Sequence, residues 1–203
     1  MQSIRGKSAV GLDPATLARH IRDYQHILVD LGPGDGRFVR HVALTRPDTL
    51  AIGIDLCGEN LRKISRTAPA NALFLIANAY TPPPELYGLA THLTINFPWS
   101  DLLTGLLAHD ARLLAGLDAL GRPGARLEVR VNAGALTEAG WALPAATTVL
   151  TRGLRRAGYA VKAAPRLLES PELRAFPSTW AHRLAFGRDA RALYLQGVKR
   201  AGG

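Results

Sequence analysis

Residues 27–36 read ILVDLGPGDG, and this stretch decides the fold. An apolar run leads into a turn of the form Asp-x-Gly-x-Gly-x-Gly that begins at Asp30, and a second apolar run, residues 50–54, ends in Asp55. Glycines let the backbone approach a ligand closely, and an acid about 20 residues further on can bind both hydroxyls of a ribose. The spacing therefore predicts a nucleotide-type site. An ordinary strand-to-helix turn would leave Asp55 unexplained.

Strand and helix patterns alternate along the chain without an internal repeat. Strands are predicted at residues 27–31, 50–54, 72–77, 91–97, 125–131 and 192–198, with another beginning at Tyr159. Helices are predicted at residues 14–23, with Asp13 as N-cap, and at 36–46, 59–67, 101–120 and 145–157, and residues 121–124 are predicted to form a turn. This alternation predicts an α/β fold with a mostly parallel sheet, whose ligands bind at the carboxyl ends of the strands.

The length and composition predict a single domain over residues 1–203. Within it we expect a short hairpin or arm at about residues 1–10 and a long linker at about residues 168–190 that carries RNA-facing residues. The chain has no run of about 18 apolar residues, so no membrane span is expected, and the single cysteine, Cys57, excludes an internal disulfide. We expect a cytoplasmic monomer without a metal ion.

The net charge of +9 favours a polyanionic partner, because each phosphate that a basic side chain neutralises releases counterions. Most of the 25 basic residues are Arg, which a biased nucleotide composition of the genome would also produce. The charge by itself therefore leaves both explanations open, and the positions of the basic residues must decide between them.

Two aromatic motifs stand where they could stack on a nucleobase. Phe97-Pro98-Trp99 follows the fourth predicted strand, and Trp180 lies in the polar stretch Ser178–Arg183. An enzyme that modifies a base must extract it from its stack, and each base–aromatic contact restores about 1–3 kcal/mol. The proline-bearing and polar surroundings of these two tryptophans argue against a place in the core, whereas Trp141 is expected to be a core residue.

The glycine turn at residues 30–36, Phe97-Pro98-Trp99 and Ser178–Arg183 together resemble the aminoglycoside-resistance 16S rRNA methyltransferases of the KamB and NpmA type. The similarity extends through residues 5–7, 63–65 and 188–189, and so over nearly the whole chain. The resemblance implies a Rossmann-like class I methyltransferase dependent on S-adenosyl-L-methionine (SAM), with a seven-stranded, mostly parallel sheet and helices on both faces. It also implies methylation of N1 of an adenine in the decoding A site of the small (30S) ribosomal subunit, with S-adenosyl-L-homocysteine as product.

The resemblance assigns roles to residues at matching positions. It implies that Trp99 and Trp180 sandwich the flipped adenine, that the backbone of Phe97 and Pro98 meets its amino edge, and that Ser178 positions Trp180 or the cofactor. It further implies that Asp30 holds the methionine amine of SAM and Asp55 its ribose. The remaining residues that we place in the cofactor site are Gly32, Gly34, Leu56, Ala77, Asn78, Asn96 and Thr179, with Ala77 and Asn78 beside the cofactor adenine.

Basic residues at matching positions imply contacts with rRNA phosphates. These residues are Lys63, Arg183 and Arg188, and Lys7, from the similar stretch at residues 5–7, is placed with them. Arg62 and Arg66 are added from spacing alone, since they share a predicted helix with Lys63, and for this helix an ordinary solvated face is an equal alternative. The resemblance thus identifies 16S rRNA within the 30S subunit as the partner.

Three other functions are weighed. A tRNA (guanine-N7) methyltransferase would carry a motif resembling Thr-x-x-Glu-x-Arg, but Ala181 stands where its carboxylate would be. A SAM-binding protein that occupies rRNA with weak or no catalysis stays open, because Pro33 removes one backbone donor from the glycine turn. A small-molecule methyltransferase would have little net charge and an apolar lid, and neither is evident.

Overall fold

The computed structural model describes residues 1–187 and 189–201, and these residues contain ten strands of one sheet. Strands that are covered by helices on both faces are apolar at successive positions, which accounts for the runs at 27–31 and 50–54. The strands are β1 (Gln2–Arg5), β2 (Ser8–Gly11), β3 (His26–Leu31), β4 (Thr49–Asp55), β5 (Ala72–Ile76), β6 (Ala90–Asn96), β7 (Gly121–Asn132), β8 (Tyr159–Ala160), β9 (Arg166–Leu168) and β10 (Ala192–Lys199).

The strand order is β2-β1-β5-β4-β3-β6-β7-β10-β8, and β9 pairs with β10. The five strands from β5 to β7 in this order are parallel, whereas β10 is antiparallel to β7. The seven strands from β5 to β8 are the seven that the sequence predicts, and the predicted N-terminal hairpin, β1 and β2, extends the sheet beyond β5. β9 is not predicted, because three residues are too few to show an apolar pattern.

Helices cover both faces of the sheet, as predicted. The helices in the described part of the chain are α1 (Pro14–Arg22), α2 (Arg37–Thr45), α3 (Gly58–Ser65), α4 (Ser100–Ala108), α5 (Ala111–Leu120), α6 (Ala133–Glu138), α7 (Leu143–Arg156), α8 (Ser170–Ala175) and α9 (Thr179–Ala185). Asp13 caps α1 by accepting a hydrogen bond of 2.9 Å from the amide of Thr16. α1, α4, α5 and α7 pack on the face that contains Val29, and α2 and α3 pack on the face that contains Leu28.

The single helix predicted at residues 101–120 is wrong, because the chain forms α4 and α5 there. The break lies at His109, which has a left-handed backbone with φ of 56°. Asp110 then starts α5 by accepting a hydrogen bond of 2.9 Å from the amide of Arg112. The leucines of both helices face the same core, so their spacing does not reveal the break.

The turn predicted at residues 121–124 is also wrong, because these residues are the first four of β7. Gly121 pairs with Ala90, whereas Arg126 pairs with His92, so β7 bulges between the two pairs. Gly124 has a φ of 80° within this bulge, which explains why a turn-like sequence can lie inside a strand.

The segment expected as a linker, residues 168–190, contains α8 and α9 within its described part. The two helices pack together through Leu173 and Ala181, which form a small core with Phe97. α6 is likewise absent from the sequence-based prediction. Helices of six or seven residues are shorter than the window over which a helical period can be recognised.

The carboxyl ends of β4, β3 and β6 lie side by side at the centre of the sheet. β3 pairs with β4 on one side and with β6 on the other. The strand that follows β4 lies on one side of β3, and the strand that follows β6 lies on the opposite side. Such a switch in strand order opens a crevice beyond the carboxyl ends of the strands. The glycine turn after β3, Asp55 and the aromatic turn after β6 all lie at this edge.

Candidate active site

A cavity of about 940 Å³ opens at this edge of the sheet. Its volume lies in the range of about 300–1,000 Å³ that is typical of small-molecule sites. It is bounded by the glycine turn, the end of β4, the turn after β6, α3 and the start of α9. The site residues from the sequence analysis that line it are Gly32, Gly34, Asp55, Lys63, Arg66, Asn96, Phe97, Pro98, Trp99, Ser178, Thr179, Trp180 and Arg183.

The glycine turn has a backbone that requires its glycines. Gly32, Gly34 and Gly36 all have left-handed backbones, with φ of 68°, 57° and 70°. A Cβ atom on Gly36 would also lie 2.6 Å from the side chain of Ile64, so this position has no room for a side chain. The turn thus presents bare backbone to the cavity, as the spacing predicts.

Asp55 lies at the end of β4 opposite this turn. Its carboxylate accepts a hydrogen bond of 2.8 Å from the amide of Cys57 and another from the amide of Gly34. Burial raises the pKa of Asp55 above its usual value, and these two amides oppose the rise. A carboxylate held in this way on the cavity wall can accept hydrogen bonds from vicinal hydroxyls.

Asp30 lies behind the cavity wall and is buried. Its Oδ1 accepts hydrogen bonds from the hydroxyl of Thr94 at 2.6 Å and from the amide nitrogen of Asn96 at 2.9 Å. Its Oδ2 has no hydrogen-bond partner among the described residues. Burial raises the pKa of Asp30 to about 7, against the effect of its hydrogen bonds and of the nearby Arg130. An unpartnered buried acceptor of this kind would be satisfied by a cationic ligand group.

The turn after β6 has an unusual backbone. Phe97 and Ser100 are non-glycine residues with left-handed φ values of 53° and 49°. Such conformations cost about 1–3 kcal/mol each and are concentrated at functional sites. The Phe97 amide donates a hydrogen bond of 2.7 Å to the carbonyl of Arg130, which helps to hold the turn. The turn leaves the Trp99 side chain 46% exposed at the cavity.

Trp180 lies beside Trp99 at the cavity, although the two residues are far apart in the chain. Their ring centroids are 5.7 Å apart, with an angle of 75° between the ring planes. Trp180 is in the first turn of α9, where Ser178 is the N-cap and accepts a 3.5 Å hydrogen bond from the amide of Ala181. A base stacked between two rings needs them roughly parallel and farther apart than two rings in direct contact. The indoles must therefore separate and rotate before a base can enter.

The start of α9 also contacts the glycine turn. The Thr179 amide donates to the carboxylate of Asp35 at 3.4 Å. Asp35 lines the cavity, as do Arg37 and Leu102, and the sequence analysis names none of the three. The position of Asp35 and Arg37 beside the glycine turn could have indicated them, whereas Leu102 is one of many leucines in its segment.

Four residues assigned to the cofactor site do not line the cavity. Asp30 lies behind its wall, and Leu56 is 67% exposed just beyond Asp55. The Ala77 amide donates to the carbonyl of Asp55 at 3.1 Å. Asn78 uses its side-chain oxygen to accept a hydrogen bond from the amide of Tyr80 at 2.9 Å. These four residues thus lie outside the cavity itself, with Leu56 and Ala77 next to Asp55.

Basic residues from three segments approach the cavity mouth. Lys63 of α3, Arg66 directly after this helix and Arg183 of α9 line it. Lys7 is exposed in the turn of the β1–β2 hairpin, and the preceding amide, that of Gly6, donates to the hydroxyl of Ser65 at 2.9 Å. The hairpin turn is thereby held against the end of α3.

Two other basic residues that the sequence suggests for rRNA binding are not seen at the cavity mouth. Arg62 lies outside the cavity wall and forms an ion pair of 3.3 Å with Glu59 on the same helix. Arg188 lies outside the described residues. Of the rRNA-binding residues that the sequence suggests, the structure therefore groups Lys63, Arg66 and Arg183 around one opening, with Lys7 nearby.

A membrane-spanning helix and a metal-binding cluster are both absent from the described part of the chain. No helix in residues 1–187 and 189–201 is long and apolar enough to cross a membrane. The same residues contain no group of three or more His, Cys, Asp or Glu side chains that could hold a metal ion.

The strand order and the nucleotide-type cavity at its switch point define the class of protein, a Rossmann-like SAM-dependent methyltransferase. Residues 2–199 match the NpmA family, described as 16S rRNA (adenine(1408)-N(1))-methyltransferase, and the chain belongs to this family. A 16S rRNA (adenine(1408)-N(1))-methyltransferase from Escherichia coli is 30% identical over 206 aligned residues, which cover 93% of this chain and 94% of that protein.

Solved structures show the same relationship. The 16S rRNA methyltransferase KamB superposes with a TM-score of 0.89 at 29% identity, over 99% of this chain and 100% of that one. A variant of the 16S rRNA (adenine(1408)-N(1))-methyltransferase from Catenulisporales acidiphilia, solved with its cosubstrate SAM, has a TM-score of 0.86 at 27% identity, over 99% and 97%. The aminoglycoside resistance methyltransferase NpmB1 has a TM-score of 0.80 at 29% identity, over 98% of each chain.

Proposed function

We propose that this chain transfers a methyl group from SAM to N1 of the decoding-site adenine of 16S rRNA and thereby confers aminoglycoside resistance. The observation that carries the proposal is the pair of half-exposed indoles, Trp99 and Trp180, at the mouth of a nucleotide-type cavity. Family membership supplies the substrate, and the tryptophan pair supplies a way to hold it. An enzyme that acts on a base inside folded RNA must replace the lost stacking, and two aromatic faces do so.

The residues around Asp55 fit SAM. The Asp55 carboxylate would bind the ribose hydroxyls, and the bare backbone at Gly32 and Gly34 would allow close approach of the cofactor. The unpartnered Oδ2 of Asp30 fits a cationic group such as the methionine amine, with Asn96 between Asp30 and the cavity. Leu56, Ala77 and Asn78 would flank the cofactor adenine beyond Asp55. When bound, SAM supplies a methyl group activated by its sulfonium.

The chain's own contribution to the reaction is alignment. N1 of neutral adenine already carries a lone pair, so the proposed reaction needs no general base. Trp99 and Trp180 would hold the base by its faces, while the backbone of Phe97 and Pro98 would meet its amino edge. Ser178 supports this arrangement by capping the helix that carries Trp180. Fixing the acceptor in line with the donor and excluding water are together sufficient to accelerate such a transfer.

The basic opening supports docking on rRNA. Lys63, Arg66 and Arg183 would bind phosphates around the flipped nucleotide, with Lys7 extending the contact along the hairpin. Arg62 would add to this surface if its ion pair with Glu59 opened. The net charge of +9 is consistent with a polyanionic partner, and we propose that the enzyme acts as a cytoplasmic monomer on the 30S subunit.

The structure provides a reason to set aside the tRNA (guanine-N7) alternative. The carboxylate that such an enzyme would use is replaced by Ala181, which is buried between α8 and α9. A carboxylate at this position would also face the small core rather than the cavity. The weakly catalytic alternative rests on Pro33, and it is separated from the proposal by experiment.

The test uses radiolabelled SAM with purified 30S subunits, bare 16S rRNA and tRNA, followed by reverse-transcription mapping. The proposal predicts label in 30S and a stop at the decoding-site adenine, because N1 methylation blocks Watson–Crick pairing. Label in tRNA without such a stop would show the guanine-N7 activity instead. SAM binding without any incorporation would show a non-catalytic protein. Trp180→Ala should lower this labelling, and Trp141→Phe is its matched control, since Trp141 packs against the main core away from the cavity.

A further inference from the structure

Arg130 of β7 contacts the turn after β6 in two ways. Its carbonyl accepts the 2.7 Å hydrogen bond from the amide of Phe97. Its guanidinium donates a hydrogen bond of 2.9 Å to the side-chain oxygen of Asn96, whose amide nitrogen in turn donates to Asp30 at 2.9 Å. With its oxygen bound to Arg130 and its nitrogen bound to Asp30, the Asn96 amide has a single orientation. Arg130 therefore determines how Asn96 faces the cavity.

The same guanidinium contacts the segment that leads to Trp180. Its central carbon lies 5.1 Å from the ring centroid of Phe176, and on another side it lies 4.9 Å from the ring of Tyr194. The Phe176 ring also packs edge-on against Phe97, with centroids 5.3 Å apart and an angle of 88°. Phe176 is two residues before Ser178 and accepts a backbone hydrogen bond of 2.8 Å from it. Arg130 thus contacts both segments that carry the tryptophans.

A buried ion pair keeps Arg130 in place. Its second nitrogen donates to Glu128 at 2.7 Å, and the Arg130 side chain is only 14% exposed. Burial opposes ionisation of Glu128, but His92, whose Nε2 lies 3.6 Å from the carboxylate, and the charge and hydrogen bond of Arg130 outweigh it and hold the pKa of Glu128 at about 2. The carboxylate is therefore ionised throughout the working pH range. A planar guanidinium can satisfy Glu128, Asn96 and two aromatic faces at once, which a lysine ammonium cannot do.

We propose that Arg130 is a positioning residue for methyl transfer: it orients Asn96 toward the cofactor side of the cavity and holds Phe176, and with it the Trp180 segment, against the Phe97 turn. The inference rests on the proposed function, because it takes the two tryptophans to be the base pocket. Arg130 itself does not line this cavity, so it acts through Asn96 and Phe176. Loss of this link would misalign the base and the methyl donor, and an error of about 1 Å can cost about 100-fold in rate.

The test compares Arg130→Gln and Arg130→Lys with Arg126→Gln. Arg126 is on the same strand and lies 3.7 Å from Glu128, but it is more than half exposed and does not line the active-site cavity. Arg130→Lys keeps a positive charge beside Glu128 and the aromatic rings, so it retains the fold even where Arg130→Gln unfolds. Thermal melting establishes that each variant is folded. SAM affinity is measured by calorimetry, and kcat and KM for 30S subunits are measured at saturating SAM.

We expect both Arg130 variants to lower kcat by at least about tenfold, with little change in the KM for 30S subunits, because the phosphate-binding residues are intact. Arg130→Gln also weakens SAM binding through Asn96. Arg126→Gln leaves all three quantities unchanged. A folded Arg130→Lys with the kcat of the unmutated protein would overturn the proposal and reduce Arg130 to a stabilising role.

The pH dependence of SAM affinity is a readout that a merely structural role would not move. Burial is the main cause of the raised pKa of Asp30, and the nearby charge of Asp55 raises it further. The hydrogen bonds from Thr94 and Asn96 and the positive charge of Arg130 lower it. Removing the positive charge in Arg130→Gln should shift the acid limb of SAM affinity to higher pH, and Arg130→Lys should restore it. An unshifted limb in folded Arg130→Gln would contradict the proposal. Because calorimetry needs no RNA, this outcome is independent of whether the chain methylates 30S subunits.

Discussion

Asp30 provides a prediction that separates stability from cofactor binding. Its carboxylate is buried, its Oδ2 has no partner among the described residues, and burial raises its pKa from an ordinary 3.8 to about 7. The folded protein therefore keeps a proton that the unfolded chain releases between these two values. Below pH 3.8 Asp30 is protonated in both states and does not oppose folding. As the pH rises from 3.8 to about 7, the free energy of unfolding falls, and above about 7 the loss is complete.

The magnitude follows from the two pKa values. The raised pKa of Asp30 lowers the free energy of unfolding by about 2 kcal/mol at pH 5 and by about 4 kcal/mol at pH 8, because the unfolded chain releases this proton more readily than the folded protein does. Asp30→Asn removes this cost but places an amide nitrogen where Oδ2 has no partner, a penalty of about 1–3 kcal/mol that does not depend on pH. The difference between the two pH values cancels that penalty. Relative to the unmutated protein, Asp30→Asn should thus gain about 2–3 kcal/mol of stability between pH 5 and pH 8.

The same substitution should weaken SAM binding, because a neutral amide cannot pair with the methionine amine. In the unmutated protein, SAM affinity should fall up to tenfold per pH unit below about 7, since binding then requires Asp30 to release its proton. In Asp30→Asn the affinity should be low and should lack this acid limb. The protein would therefore retain a destabilising carboxylate for the sake of its cofactor.

Urea unfolding at pH 5 and pH 8 and calorimetric titration with SAM measure these quantities. Asp23→Asn is the control, because Asp23 is exposed at the end of α1 and far from the cavity. The reasoning is refuted if the stability difference between Asp30→Asn and the unmutated protein is the same at both pH values. Unchanged SAM affinity in Asp30→Asn would remove Asp30 from the cofactor site.

Three further substitutions test the site from different sides. Asp55→Ala should weaken SAM binding at least about 100-fold in calorimetry, because the ribose loses two charge-assisted hydrogen bonds of about 1.5–3 kcal/mol each; retained affinity would contradict the ribose assignment. Trp180→Ala should lower 30S methylation about 5- to 150-fold while sparing SAM affinity, since one base–aromatic contact is lost; full turnover would exclude the sandwich. Lys63→Glu should weaken 30S binding and flatten its salt dependence, whereas Lys162→Glu, with the same charge change, should not.

The order of elements along the chain could be read from local patterns. The seven central strands are apolar runs bounded by turn residues, and α1 has both its Asp cap and its proline in the expected places. The patterns failed where a local signal was too short or ambiguous. α8 and α9 have fewer than eight residues each, and the break at His109 depends on backbone geometry that a leucine stripe does not record.

The candidate site was predictable where chemistry follows from chain spacing. Gly32, Gly34 and Asp55 are close in sequence, so a single strand–turn–helix–strand unit brings them together. Trp99 and Trp180 were paired through resemblance to a family, because 80 intervening residues leave their separation undetermined by spacing. Nothing in the sequence indicated a role for Arg130, since an arginine in a strand is usually expected to be exposed. Its importance became visible only through its contacts with Asn96, Phe97 and Phe176.

Residue spacing was thus enough to predict the α/β class and the position of Asp55 opposite the glycine turn, because these depend on contacts within one short unit of chain. The folded structure was needed to show that α9 brings Trp180 to within 5.7 Å of Trp99 and that Lys63, Arg66 and Arg183 share one opening. It was also needed to show the burial of Asp30, from which the raised pKa follows. Burial and long-range proximity are properties of packing, and packing is set by all the elements together rather than by any one segment.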